Sequence, residues 1–130
     1  ESNGEVPVGA IYFHDNQIIA ESGNVTISNH DPSGHAEIMV LRKASEIRKN
    51  HRIGGTLVVT LEPCVMCMGA MIQARIETLI FGAFDPRSGA AGSAFDLSNS
   101  PKLNHKINVI GGVMENECKD LIQGFFQSKR

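Results

Sequence analysis

The sequence predicts an α/β protein, a three-layer α/β/α sandwich around a central mixed five-stranded sheet. Three observations predict it. The chain alternates strand-like and helix-like stretches in the order hairpin, helix, strand, helix, strand, crossover, strand, helix, which calls for helices on both faces of a sheet. Leu57-Val58-Val59-Thr60-Leu61 is a nearly continuous apolar run between Gly55 and Pro63, as expected of a central strand buried on both faces. The length of 130 residues suits one domain spanning 1–130 and is short for two.

Each element has a local reason. Val6 to Ile11 already reads as strand, and Ala10–Phe13 and Ile18–Ala20 flank Asp15-Asn16-Gln17 as a hairpin. Residues 23–34 are rich in Asn, Ser, Asp, Pro and Gly and read as loop. From about His35 to Asn50 the pattern is helical, with Ile38, Leu41 and Ala44 on one face and charged residues mostly off it. A second helix follows from Pro63 or Cys64 to Arg75, because Pro is tolerated in a first turn. Thr78–Ala83 and Ile107–Ile110 read as strands, and Glu115 to about Lys129 as an amphipathic helix with a Cys118, Leu121, Ile122 and Phe125 stripe. The crossover of residues 84–106 is long for a compact domain, and long ordered loops are usually functional, so it is a first candidate for substrate contact.

Composition excludes several classes. With 42% hydrophobic and 20% charged residues the chain is neither disordered nor fibrous. Twelve basic against fourteen acidic residues leave a net charge of −2, which excludes a globally basic nucleic-acid binder but not a local basic patch. Three cysteines are too few for a secreted disulfide scaffold. No apolar run approaches the roughly 20 residues needed to span a bilayer. With no signal peptide at its start, the chain is expected to be soluble and cytoplasmic, with no membrane partner.

His35, Cys64 and Cys67 stand out as metal ligands. Cys64 and Cys67 are three apart at the start of a predicted helix, so their side chains point the same way. Two sulfurs each about 2.3 Å from a tetrahedral zinc lie roughly 3.8 Å apart, within reach of such a pair. The helix N-terminus favours thiolate over thiol, and sulfur with imidazole suits zinc better than magnesium or calcium. Two cysteines and one histidine make three ligands; three ligands plus a water is the pattern of a catalytic zinc. Glu37 then has a role, taking a proton from the zinc-bound water and returning it to a leaving group. Residues two apart on a regular helix do not share a face, so His35 and Glu37 can both reach the metal only if the helix begins at His35. A lone Cys-x-x-Cys also fits a structural half-site or a redox pair; His35-Ala36-Glu37 and Pro63 shift the reading to catalysis. Cys118 is a candidate fourth ligand, but its place on an apolar stripe favours core packing. His14, His30 and His51 read as surface residues.

His35-Ala36-Glu37 with Pro63-Cys64-Val65-Met66-Cys67 matches the signature of the zinc-dependent cytidine deaminase superfamily. That motif alone fits guanine or cytosine deaminases as well. From Glu5-Val6-Pro7-Val8-Gly9-Ala10 to Phe125-Phe126, with Asn29-His30-Asp31-Pro32, Thr60-Leu61-Glu62, Gly82-Ala83-Phe84-Asp85-Pro86, Gly89-Ala90-Ala91-Gly92-Ser93 and Asn104-His105 between them, nearly the whole chain resembles the bacterial tRNA-specific adenosine deaminases. The resemblance implies a cytidine deaminase-like fold, one Zn2+ per subunit, a homodimer, and conversion of adenosine to inosine at the wobble position of a tRNA anticodon stem-loop. It implies zinc on His35, Cys64 and Cys67, proton transfer by Glu37, and attack on C6 of adenine with loss of ammonia. It further implies that Asn24 bonds the base edge, that Asp85, Arg87 and Asn104 touch flanking nucleotides, and that Phe126 stacks near the anticodon loop. Asn24 and Asp85 also read as ordinary turn residues, and Phe126 as a packing residue at the edge of a stripe. The family carries an N-terminal helix for which nothing precedes Glu1, and a longer basic C-terminal extension. Phosphate contacts are therefore expected from local groups such as Arg42, Lys43, Arg48, Lys49, Arg75 and Arg87. A guanine, cytosine or nucleoside deaminase and a non-enzymatic zinc or redox module are the competing readings.

Overall fold

The computed structural model describes residues 4–128, with side chains as far as Gly124. Strands β1 (Gly9–His14) and β2 (Gln17–Gly23) form the opening hairpin. Asp15 and Asn16 make its turn with φ of 53° and 63°. Left-handed backbone at both central residues matches the twist of the flanking strands, and Asp and Asn tolerate it best after Gly. Helix α1 (Ala36–Arg48), strand β3 (Thr56–Leu61), helix α2 (Val65–Ala74), strand β4 (Thr78–Ala83), strand β5 (Asn108–Ile110) and helix α3 (Glu115–Ser128) follow.

The sheet is mixed, in the order β2-β1-β3-β4-β5. β1 runs antiparallel to both neighbours, with Ala10 opposite Val59 and Tyr12 opposite Leu57. β3, β4 and β5 are parallel, with Leu57 beside Leu79 and Leu61 beside Ala83. The carboxyl ends of β3 and β4 therefore open on the same edge, the usual place for a ligand in such sheets. α1 packs on β1, β2 and α2, whereas α3 packs on β4 and β3 from the other side, which makes the expected three layers.

The core lies under α1 and α2. Period-2 alternation sends Ala10, Tyr12, Leu57, Val59, Leu79 and Phe81 to one face, where they meet Ala36, Val40 and Ala44 of α1 and Met68 and Met71 of α2. Cutting one of these to Ala, as in Leu79→Ala, costs about 2–5 kcal/mol. The second face is covered less completely: a groove of about 550 Å³ runs along Ile11, Val58, Ile80 and Cys118.

Several boundaries differ from the sequence reading by one to three residues, β2 running on to Gly23 among them, and two have a plain local cause. Val6 to Val8 are not strand: Val8 N–H turns back to the Val6 carbonyl at 2.8 Å, and pairing starts only at Gly9. Pro7 supplies no N–H to a ladder. α1 ends at Arg48 and not Asn50, because Lys49 takes a left-handed cap with φ 53°. Among the described residues no helix is long and apolar enough to cross a membrane.

Candidate active site

Both candidate ligand-bearing segments are helix starts. His35 is the N-cap of α1 and Cys64 the N-cap of α2, each with extended backbone (φ −71°, ψ 150° and φ −80°, ψ 177°). An extended cap swings its side chain off the helix's own face. That is how His35 and Glu37, only two apart, come to border one cavity. Cys67 sits one turn into α2 and is fully buried.

The three donor atoms form a compact triangle. His35 Nδ1 lies 3.6 Å from Cys64 Sγ and 3.4 Å from Cys67 Sγ, and the two sulfurs are 3.7 Å apart. The sulfur spacing is close to the roughly 3.8 Å set by two bonds to a tetrahedral zinc. The hydrogen bond between the two sulfurs holds Cys64 down at a pKa of about 5 and, with burial, pushes Cys67 upward. A divalent ion held by these donors would favour both sulfurs as thiolates.

Glu37 is 4% exposed, and its Oε1 has no hydrogen-bond partner. Burial raises its pKa. Unsatisfied buried carboxylate oxygens are costly and uncommon, so this one requires a donor from the cavity it borders. The cavity is about 290 Å³ and is lined by Val6, Val8, Asn24, His35, Glu37, Leu61, Glu62, Cys64, Asp85 and Ser88. That is at the low end for ligand pockets and suits a single base. The orphaned oxygen and the N, S, S donor set together fit a metal ion carrying a water.

Other sequence-derived residues fall as follows. Asn24 lines the cavity, and its Oδ1 accepts the N–H of Ala36 at 3.2 Å, capping α1 in place of His35 and leaving the amide NH2 uncommitted. Asp85 is both turn and wall. Its Oδ1 accepts the Arg87 and Ser88 N–H groups at 3.1 Å each, and the residue lines the cavity. Arg87 is exposed and lines an adjoining cavity of about 620 Å³ with Phe84 and Lys119. Asn104 is not brought to this site: its neighbour His105 bonds the Ile76 carbonyl at 2.7 Å, at the end of the sheet where β4 begins. β4, with six residues, is roughly 17 Å long, so Asn104 and Asp85 stand at opposite ends of it. The side chain of Phe126, like that of Phe125, lies outside the described residues.

Cys118 is not near the triangle. It packs against Gly82 on the α3 side of the sheet, where a Cβ added to Gly82 would lie 2.3 Å from its sulfur. Among the described residues His35, Cys64 and Cys67 are the one cluster of three such groups close enough to share an ion. Four of the basic residues expected to face phosphate are engaged within the fold. Lys43 Nζ donates to the Glu21 carbonyl at 3.1 Å, and Arg42 lies 3.9 Å from the Asp31 carboxylate. The Arg48 guanidinium donates to Tyr12 Oη and to the Ile53 carbonyl, and that of Arg75 donates to the Ile72 carbonyl.

Two buried carboxylates escaped the sequence reading. Glu5 is 4% exposed and accepts the Ile27 and Ser28 N–H groups and the Thr26 and Ser28 hydroxyls. The Ser28 hydroxyl foremost, then its N–H, holds the Glu5 carboxyl below its ordinary range. Glu62 is 3% exposed and accepts four hydrogen bonds from the start of the crossover. A charged residue directly ending the apolar run 57–61 was the available signal for Glu62; Glu5 had none.

Three donors that could hold a metal ion, a buried carboxylate with an unmet oxygen, and a base-sized cavity lie together at the carboxyl end of a central strand. A family model described as MafB19-like deaminase matches residues 1–130. A tRNA-specific adenosine deaminase of Haemophilus influenzae is 45% identical over 132 aligned residues, covering 100% of this chain and 76% of that protein. A solved structure from work on A-to-I editing by tRNA:A34 deaminases at the wobble position superposes with a TM-score of 0.84 at 41% identity, covering 88% of this chain and 83% of that one. A guanine deaminase of Nitrosomonas europaea shares the fold, with a TM-score of 0.77 at 24% identity over 95% of this chain and 76% of that one. The chain belongs to the family of the tRNA-specific adenosine deaminases.

Proposed function

We propose that this chain hydrolyses adenosine to inosine at the wobble position of a tRNA anticodon, with one zinc ion per subunit, as a cytoplasmic homodimer. The observation that carries the chemistry is the unpartnered Glu37 Oε1 in a cavity it shares with His35 and Cys64. The substrate follows from 45% identity to a tRNA-specific adenosine deaminase, against 24% to a guanine deaminase.

His35 Nδ1 and the Cys64 and Cys67 sulfurs would hold the zinc. When bound there, a zinc ion supplies a water whose pKa is lowered toward about 7. Glu37, the buried carboxylate beside it, takes the proton of the attacking water. A C6–O bond forms on the adenine, the C6–N bond breaks, and Glu37 delivers the proton to the departing amine. Adenosine and water become inosine and ammonia. Asn24, its oxygen committed to Ala36, offers its NH2 to the base edge. Asp85 and Arg87 would face the flanking nucleotides, and the family resemblance assigns Phe126 to stacking near the anticodon loop; Asn104 lies toward the other end of β4. An anticodon loop already splays its bases, which spares much of the few kcal/mol that unstacking a duplex base costs.

The test is incubation of metal-loaded protein with an anticodon stem-loop, and separately with free guanine and cytosine. Inosine is read in the RNA, ammonia in every arm, and metal content on the same sample. Inosine in the stem-loop with about one zinc per chain is the expected result. Ammonia from free guanine or cytosine with unchanged RNA refutes the tRNA assignment.

A further inference from the structure

We propose that Glu62 is a positioning residue: its carboxylate fixes the cavity wall formed by residues 85–93 and thereby sets how tightly RNA is held beside the reacting base. The inference rests on the deaminase reading above and adds to it a residue with no part in the proton chemistry. Glu62 Oε1 accepts the Asp85 N–H at 3.0 Å and the Ser93 hydroxyl; Oε2 accepts the Ala91 N–H at 3.0 Å and the Ser93 N–H at 3.1 Å. A carboxylate offers about four lone-pair sites, so all of them are committed to one nine-residue span, through three backbone N–H groups and one hydroxyl. Glu37 presents the opposite condition, one oxygen with nothing bound to it. Glu62 therefore has no capacity left for water or substrate.

The surroundings carry the point further. No Lys or Arg pairs with Glu62 among the described residues, so its charge is balanced by neutral donors alone. Hydrogen bonds to a buried ionised acceptor are about twice as strong as neutral ones, and they fix geometry. The loop closes on the carboxylate so tightly that a Cβ on Gly89 would lie 2.4 Å from Glu62 Cδ and 2.5 Å from the Asp85 carbonyl oxygen. One residue on, the Ala90 N–H donates to the Pro63 carbonyl at 2.8 Å. Glu62 and Pro63, the two residues directly before Cys64, thus hold the loop. Asp85 and Ser88, inside the tethered span, line the cavity with Glu37 and Asn24.

The experiment compares zinc-loaded wild type, Glu62→Gln and Ser93→Ala. Glutamine keeps the shape but turns one acceptor into an NH2 that faces backbone N–H groups. For Glu62→Gln we expect unchanged zinc per chain, kcat on the stem-loop within about threefold, and KM raised at least tenfold. Amide hydrogen exchange at Asp85, Ala91 and Ser93 should quicken at least tenfold while α1 and α2 stay protected. Ser93→Ala should shift KM and exchange the same way by less, and it carries the test if Glu62→Gln does not fold. An unchanged KM, a fall in kcat alone, loss of zinc, or faster exchange spread evenly over α1 and α2 overturns the proposal. Wild type inactive on the stem-loop would sink the tRNA reading, and the loop-confined exchange, which involves no RNA, would still decide whether Glu62 anchors the wall.

Discussion

Replacing Glu37 with Gln separates proton transfer from everything else this site does. The side chain is 4% exposed with Oε1 unpartnered, and Gln fills the same space. General acid–base transfer contributes roughly 10²–10⁴ in rate, or about 2.7–5.5 kcal/mol at 1.36 kcal/mol per tenfold. kcat should fall by that factor while His35, Cys64 and Cys67 keep the metal. The metal-free variant should be at least as stable as metal-free wild type, because a neutral amide is less costly to bury than an unpaired carboxylate. Single-turnover inosine formation on a stem-loop, zinc content and thermal melting on one preparation measure all three. Activity within tenfold of wild type, or activity and zinc lost together, would refute the assignment of Glu37 as proton carrier.

Three further outcomes are expected. Asn24→Asp keeps the oxygen that caps Ala36 and should melt near wild type while losing activity, whereas Asn24→Ala should lose activity and about 1 kcal/mol of stability. Chelating the metal from a sample held at 1,000 times its dissociation constant removes about 4 kcal/mol, which lowers the melting temperature by roughly 15 °C for a chain of this size. Glu5 is held below its ordinary value of 4.5 in the folded state, so its contribution is present above about pH 4.5 and is lost as pH falls through the folded value. Melting curves of Glu5→Gln and wild type should therefore be separated at neutral pH and converge in acid; a gap that widens in acid would contradict that assignment.

The sequence made the parallel half of the fold legible because each element there carries its own signal: an apolar run for β3, a Pro63 helix start, a stripe for α3. The candidate ligands were legible for a related reason, since spacing within four residues and a helix start fix side-chain direction almost by themselves. Val6 to Val8 misled because apolar composition outweighed the missing N–H of Pro7. Arg48 misled because its charge says nothing of Tyr12 and Ile53, brought to it only by the fold. Glu5 stayed hidden for the same reason, and Glu62 left only its place after an apolar run: donors 21 to 31 residues away leave no periodic trace. Asp85 was ambiguous between turn and substrate contact, and the structure shows why both descriptions apply to one side chain.

His35 and Cys64 are 29 residues apart in the chain, yet each is fixed by the first turn of a helix, and those helices touch through the same apolar layer. The triangle of donor atoms is thus a gauge of helix-to-helix registry. A substitution beneath α2, such as Met71→Ala, that lets the helices slide by half an ångström would surface as weaker ion affinity well before it surfaced as unfolding. Titrating zinc against a panel of interior variants would turn the site into a ruler for the core that supports it.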